Sequence, residues 1–191
     1  EWFFTKYDQL GRIAYTGISA GGTRITEQTN VNAKGNNNVT RTTTSGFTAP
    51  GLLVYYDNIA ANNYPNTFTT ILSINYYDTY PTGSPTIPTT ILTQDVLQHN
   101  AQNSNISTKS LLTASFVKNI DNSAWTKTYI WYNAKGKAIG SHSVNHLGGY
   151  TKMESLLDFT GVTQQMYTKH KRKSADTELV IKEDFEYDSQ N

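Results

Sequence analysis

The stretch that decides the fold is Tyr7-Asp8-Gln9-Leu10-Gly11-Arg12-Ile13, which has the form Tyr-Asp-x-x-Gly-Arg-apolar. In such a pattern the aromatic residue ends one strand and packs on a core face. The Asp side chain accepts hydrogen bonds from backbone N–H groups two residues further on. Gly11 supplies the positive φ that a tight turn needs, and the residues after it begin the return strand. The pattern therefore predicts a β-hairpin.

Three further stretches repeat this pattern. Trp131-Tyr132-Asn133-Ala134-Lys135-Gly136-Lys137-Ala138-Ile139 has Asn for Asp and Lys for Arg, Leu157-Asp158-Phe159-Thr160-Gly161-Val162 keeps the Asp and the Gly, and Tyr187-Asp188 begins a last copy. Hairpins of this size cannot bury their apolar faces alone, so we expect neighbours to stack edge to edge into one long sheet. The predicted structural residues of the motif are Tyr7, Asp8, Gly11, Arg12, Tyr132, Asn133, Gly136, Lys137, Asp158, Gly161, Tyr187 and Asp188.

The composition supports a mainly β fold. The 191 residues include 28 Thr, 18 Asn and 13 Tyr, which favour extended, half-buried strands and polar turns over helix. The absence of cysteine excludes disulfides, thiolate nucleophiles and Cys-ligated metals. A net charge of +1 does not favour nucleic acid as a partner, although residues 169–173 form a short basic run. No apolar run approaches the roughly 20 residues of a membrane-spanning helix.

Alternation along the chain predicts strands at residues 68–77, 125–132 and 177–187. A short helix is expected only around Pro88 to Gln98, where Ile91, Val96 and neighbouring residues could form an amphipathic turn or two. The Asn- and Thr-rich stretch from Gly35 to Gly46 is expected to be a mobile loop that buries nothing.

On the strength of these motifs, the sequence resembles the rearrangement-hotspot (RHS), or YD-repeat, proteins, whose repeat is the Tyr-Asp-x-x-Gly-Arg pattern that Tyr7 to Arg12 match in full. Residues 125–150 resemble the long RHS-repeat proteins of Bacteroidota. The resemblance implies antiparallel β-hairpin repeats that form part of a spiralling sheet or shell around a C-terminal toxin. It also implies export to the bacterial cell surface or beyond, with neighbouring repeats, the enclosed toxin and an outer-membrane secretion channel of type IX as partners.

From this resemblance we expect a segment of a longer polypeptide with three parts. Residues 1–34 hold the first repeat, residues 35–112 are a divergent, loop-rich region of the same β-structure, and residues 113–191 hold the later repeats. The corresponding function is structural and non-enzymatic, with no cofactor and no metal.

Two other functions remain open. A cell-surface carbohydrate-binding β-domain could use Trp2, Trp125 and Trp131 to stack on sugar rings. An esterase could use Ser19, because Gly17-Ile18-Ser19-Ala20-Gly21 fits the Gly-x-Ser-x-Gly elbow. That elbow requires a following helix, which the next residues do not predict, so we interpret the stretch as a glycine-rich turn.

Isolated polar residues have simpler interpretations than catalysis. His142 and His146 would share a helix face as metal ligands, but their segment predicts strand and turn, where they would lie about 13 Å apart. Asp57, Asp78, Asp158 and Asp188 stand where turns favour Asp, so we do not expect a catalytic carboxylate pair.

Overall fold

The structure is a computed structural model that describes residues 1–35, 37–98 and 107–188. It is mainly β, with antiparallel strand pairing throughout its sheets. In the described residues the elements are β1 (Trp2–Tyr7), β2 (Ile13–Ser19), α1 (Arg24–Asn32), β3 (Phe47–Ala49), β4 (Leu52–Val54), β5 (Thr70–Tyr77), β6 (Thr90–Ile91), β7 (Gln94–Asp95), β8 (Leu112–Lys118), β9 (Trp125–Tyr132), β10 (Ala138–Val144), β11 (Gly148–Leu157), β12 (Thr163–Lys173) and β13 (Leu179–Asp184).

The chain divides into two compact units. The first contains residues 1–75 and 116–125, and the second contains residues 76–115 and 126–191. In the first unit β1 pairs with β2, and β2 pairs with β5. Its core is aromatic: the Phe4 ring stacks on Phe68 at 5.1 Å between centroids, and Tyr15 lies 5.4 Å from Phe47 and 5.9 Å from Tyr56.

The second unit contains a run of antiparallel strands in which each pairs with the next, from β9 through β13. The small β6–β7 hairpin packs on this sheet, where the Gln94 amide donates to the Ser155 carbonyl at 2.7 Å and accepts from the Leu157 N–H at 3.2 Å. Trp131, Ile91 and Ile139 are buried here.

The three predicted strands are confirmed by β5, β9 and β13. The helix expected around Pro88 to Gln98 is wrong, because this stretch forms the β6–β7 hairpin. Leu92 and Thr93, at the tip of the hairpin, both have positive φ, of 45° and 72°. A positive φ at both central positions is the requirement of the tight hairpin turns that match strand twist.

The helix among the described residues is α1, which the sequence did not predict. Thr23 caps it by accepting from the Thr26 N–H at 3.3 Å, and the Glu27 carboxylate accepts from the Gly22 N–H at 2.6 Å. Because no residue of α1 is buried, its side chains carry little of the apolar periodicity by which a helix is recognised.

The stretch from Gly35 to Gly46 also differs from expectation. Val39 is fully buried and forms a parallel bridge with Asp8, its N–H donating to the Tyr7 carbonyl at 2.8 Å. Arg41 forms an antiparallel bridge with Tyr56. The expectation that this stretch buries nothing is therefore wrong, because Val39 is part of the buried core of the first unit.

Candidate functional site

The turn at Asp8 connects β1 and β2. One carboxylate oxygen of Asp8 accepts from the N–H groups of Leu10 and Arg12, both at 2.9 Å, and the other accepts from Arg12 Nε at 2.7 Å. The Gly11 N–H donates to the Asp8 carbonyl at 3.0 Å, and φ of Gly11 is 76°. The predicted hydrogen bond to the backbone two residues on is therefore present. Asp8 also forms an ion pair with the Arg12 side chain.

The same arrangement recurs between β9 and β10. The Asn133 side-chain oxygen accepts from the N–H groups of Lys135 and Lys137, both at 3.0 Å. The Gly136 N–H donates to the Asn133 carbonyl at 2.9 Å, and φ of Gly136 is 71°. A neutral amide thus forms the turn without any ion pair to the side chain.

Between β11 and β12 the turn residue is Asp158. One of its oxygens accepts from the N–H groups of Thr160 and Val162, at 2.8 and 3.0 Å, and φ of Gly161 is 96°. The hydrogen bond from the Thr160 hydroxyl, followed by those from the backbone, lowers the pKa of the Asp158 carboxyl. Asp158 is thus an ionised acceptor for the backbone, as the turn interpretation expects.

A further copy, which the sequence analysis missed, lies between β10 and β11. The Asn145 side chain accepts from the N–H groups of Leu147 and Gly149, both at 2.9 Å, and Gly148 has φ of 76°. Its signal is the Asn-x-x-Gly spacing of Asn145-His146-Leu147-Gly148, which lacks an aromatic residue before the Asn. With it, the turns at 133, 145 and 158 follow one another along one sheet at intervals of 12 and 13 residues.

The aromatic position of the motif is not uniformly in a core. Tyr132 is buried, and its hydroxyl donates to the Leu112 carbonyl at 2.7 Å. Tyr7, by contrast, is 44% exposed, so the prediction that it packs on a core face is wrong. It stands on the face of β1 opposite to Phe4 and Lys6, which are buried. Tyr187 is exposed, although its hydroxyl donates to the Thr163 carbonyl at 2.7 Å. The turn expected after Asp188 lies outside the described residues.

Both faces of the outer hairpin β12–β13 are open. All six residues of β13 are exposed, including Leu179, Val180 and Ile181 at 58%, 50% and 46%. Successive strand residues point to opposite faces, so neither face at β13 has a covering layer. Across β11 and β12 the charges pair, with Lys169 Nζ 3.0 Å from a carboxylate oxygen of Glu154. The hairpin is a single layer of sheet whose apolar residues face solvent.

Ser19 is not held as a nucleophile. Contrary to our expectation a helix does follow it, since α1 begins at Arg24, but the loop of residues 20–23 intervenes. Ser19 is the last residue of β2, and it is not among the described non-glycine residues with positive φ, whereas the elbow serine sits on a strained turn directly before its helix. The described histidines, His142, His146 and His170, belong to the second unit, whereas Ser19 belongs to the first.

The other polar candidates serve the fold. His142 lies in β10, with its ring centroid 5.4 Å from Tyr150 and 6.1 Å from Trp131, while His146 lies in the Asn145 turn. Burial and, second, the charge of Lys152 lower the pKa of His142. Within the part of the chain that the structure describes, no group of three or more His, Cys, Asp or Glu could hold a metal ion.

Two of the candidate carboxylates bind backbone. Asp57 accepts from the Thr40 N–H at 2.9 Å, and Asp78 accepts from the Ser110 N–H at 2.7 Å. Both donors are distant in sequence, by 17 and 32 residues, so these contacts are not the local turn hydrogen bonds that the sequence predicted.

The tryptophans differ in exposure. Trp125 and Trp131 are buried, with only 5% and 2% of their surface exposed. They therefore cannot stack on a sugar as the carbohydrate hypothesis required. Trp2 is 38% exposed and lines a cleft of about 270 Å³ in the first unit, together with Phe4, Arg24, Glu27 and Val31.

No protein family model, curated protein or solved structure matches this chain. No helix within the described residues is long and apolar enough to cross a membrane.

Proposed function

We propose that this chain is a non-enzymatic structural segment of a large exported RHS-type protein, in which hairpin repeats form the wall of a shell that encloses or presents a C-terminal toxin. The observation that carries the proposal is the recurrence of one turn at Asp8, Asn133, Asn145 and Asp158. In each copy a side-chain oxygen accepts from the N–H of the residue before a glycine of positive φ and from the N–H of the residue after that glycine. A turn repeated in this way makes hairpins of similar geometry, which is what a sheet built by repetition requires.

The open hairpin β12–β13 supports the same proposal. Exposed apolar residues on both faces of a strand with an unpaired edge are an aggregation liability, which natural sheets usually blunt with charge, bulges or a covering element. Here the first half of β13 is Leu-Val-Ile. A further strand pairing along β13 would satisfy its free N–H and C=O groups, and shell contents against one face would cover its side chains.

Hydrogen–deuterium exchange tests this arrangement. About half of the β13 N–H groups point away from β12 and should exchange quickly in the 191-residue chain. In the full-length protein the same amides should be protected to the level of β10, which has strand neighbours on both sides and serves as the internal control. Equally fast exchange of β13 in the full-length protein would exclude a continuing sheet.

A pair of glycine substitutions tests the shell. Gly136 and Gly83 both have positive φ, of 71° and 81°, and open space where a Cβ would stand, so Val at either position imposes comparable backbone strain. Only Gly136 lies in a repeat turn. In the full-length protein we expect Gly136→Val to expose the C-terminal region to protease, while Gly83→Val leaves it protected. Equal protection in both variants would count against a closed wall built from these hairpins.

A further inference from the structure

The cleft beside Trp2 has the composition of a small-ligand site. Its walls are apolar where Trp2, Phe4, Val31 and Pro65 line it, and Arg24, Glu27, Gln28 and Tyr64 supply polar groups. Its volume of about 270 Å³ is close to the lower end of the roughly 300–1,000 Å³ typical of small-molecule pockets, which are mostly apolar with a few placed polar groups. The cleft lies entirely within the first unit.

Two of the polar groups, Glu27 and Tyr64, are held in position by hydrogen bonds within the protein. Glu27 accepts from the Tyr64 hydroxyl and from the Gly22 N–H, both at 2.6 Å. The hydrogen bond from Tyr64 and then that from Gly22 lower the pKa of Glu27, so its carboxylate is ionised at neutral pH. Asn30 donates to the Tyr64 hydroxyl at 3.1 Å, which holds that ring in turn. Each carboxylate oxygen has a second lone pair that can accept from a ligand.

The indole of Trp2 is anchored in the same way. Its Nε1 donates to the Gly22 carbonyl at 3.0 Å, so the ring is oriented by the loop that also positions Glu27. Trp2 and Ser19 are direct cross-strand partners in the β1–β2 pair, which places the Ser19 side chain on the same face of the sheet. Aromatic ring, carboxylate and hydroxyl therefore converge on one cleft.

We infer that this cleft binds a neutral pyranose unit of a glycan. An anionic ligand would meet the ionised Glu27, a cationic ligand would meet the guanidinium of Arg24, and a purely apolar ligand would desolvate both charges. A neutral ring with an apolar C–H face and several hydroxyls matches the three groups of the cleft. Its C–H face packs on the Trp2 indole, and its hydroxyls accept from Arg24 and donate to Glu27. The inference stands independently of the proposed shell function.

The indole N–H signals in an NMR spectrum of the ¹⁵N-labelled chain provide the test. The three tryptophans give three such signals, of which those of the buried Trp125 and Trp131 are internal controls for folding. Titration with methyl β-glucopyranoside, methyl β-galactopyranoside and N-acetylglucosamine should shift the Trp2 signal saturably for at least one sugar. For a ligand of this size we expect a Kd on the order of a few millimolar.

Variants and competing probes identify the contacts. Arg24→Met and Glu27→Gln should each weaken binding about fivefold. Ile25→Ala, a change on the same helix at a residue that is 80% exposed and does not line the cleft, should leave binding unchanged. Tighter binding of choline or of acetate than of every sugar would overturn the assignment of a neutral ligand. Absence of saturation by all three sugars, with the control signals in place, would overturn the pyranose proposal.

Discussion

Asp8 offers the sharpest test of how the hairpin turns hold together. Its side chain makes both the hydrogen bonds to backbone N–H groups and an ion pair with Arg12, whereas Asn133 makes only the hydrogen bonds. Its side chain is buried, with one oxygen bound to two N–H groups and the other to Arg12 Nε at 2.7 Å. Asn133 makes the two N–H contacts alone, with an uncharged oxygen. Replacing Asp8 by Asn should therefore keep the turn and remove the ion pair with Arg12.

The magnitudes follow from these contacts. A hydrogen bond to a charged group contributes about 1.5–3 kcal/mol, so Asp8→Asn should lower the free energy of unfolding by roughly 1–2 kcal/mol after partial solvation of Arg12. Asp8→Ala also orphans the N–H groups of Leu10 and Arg12 and should cost roughly 3–4 kcal/mol. Asn133→Ala, which loses the neutral pair alone, should cost about 1–2 kcal/mol.

Urea denaturation at pH 7, followed by circular dichroism, measures all three variants against the parent chain. Arg12→Met and the double variant with Asp8→Asn complete a double-mutant cycle, which isolates the free energy of the Asp8–Arg12 ion pair. If Asp8→Asn proved as costly as Asp8→Ala, the side-chain oxygen would not be holding the turn, and our account of the repeated geometry would be refuted.

Three further predictions follow from particular residues. Gly148→Ala should cost about 1 kcal/mol through its φ of 76°, whereas Gly149→Ala should cost more in thermal unfolding, because a Cβ at 149 would lie 2.3 Å from the carbonyl oxygens of residues 171 and 172; equal costs would contradict this. Burial lowers the pKa of Lys6 to about 8 from 10.5, so the unfolded chain binds more protons between these values and stability should rise from pH 8 to pH 9.5; the rise should vanish in Lys6→Met, and a persisting rise would exclude Lys6 as its source. Ile181→Lys should slow the aggregation of the isolated chain, measured by light scattering; an unchanged rate would show that aggregation does not proceed through β13.

The turn chemistry was predictable from sequence because it is local. An Asp or Asn three residues before a glycine specifies both the acceptor and the positive φ, and Asp8, Asn133 and Asp158 adopt the predicted geometry. Asn145, which follows Val144 and precedes Gly148 by three residues, has the same two residues but was not predicted to form this turn. An aromatic residue before the Asp or Asn is not needed for the turn geometry, because Val144 precedes Asn145 and Leu157 precedes Asp158.

The elements that were not predictable are those set by tertiary contacts. Helix α1 buries none of its residues. Besides its local cap at Thr23, it is held by Glu27 and Asn30 through the distant Tyr64, which a local window of sequence does not contain. The β6–β7 hairpin turns at Leu-Thr rather than at glycine or asparagine, and Gln94 ties it to β11, more than 60 residues away. The Trp2 cleft likewise depends on Gly22 and Tyr64, which only the folded chain brings to Glu27.

Exposure along the second unit gives the strongest physical reason to expect a partner at its outer edge. Strand β9 is mostly buried or half-buried, β11 and most of β12 are half-buried, and β13 is exposed at every position. Leu179, Val180 and Ile181 keep about half of their surface in water, so they give only about half of the stabilisation of full burial yet carry the full entropic cost of being ordered. The second half of β13 is charged, and Lys182 Nζ lies 2.9 Å from a carboxylate oxygen of Asp184 on the same strand. A neighbouring strand would cover the apolar half of β13, and the exchange rates of the β13 amides in the longer protein that we propose would test whether such a strand completes the sheet.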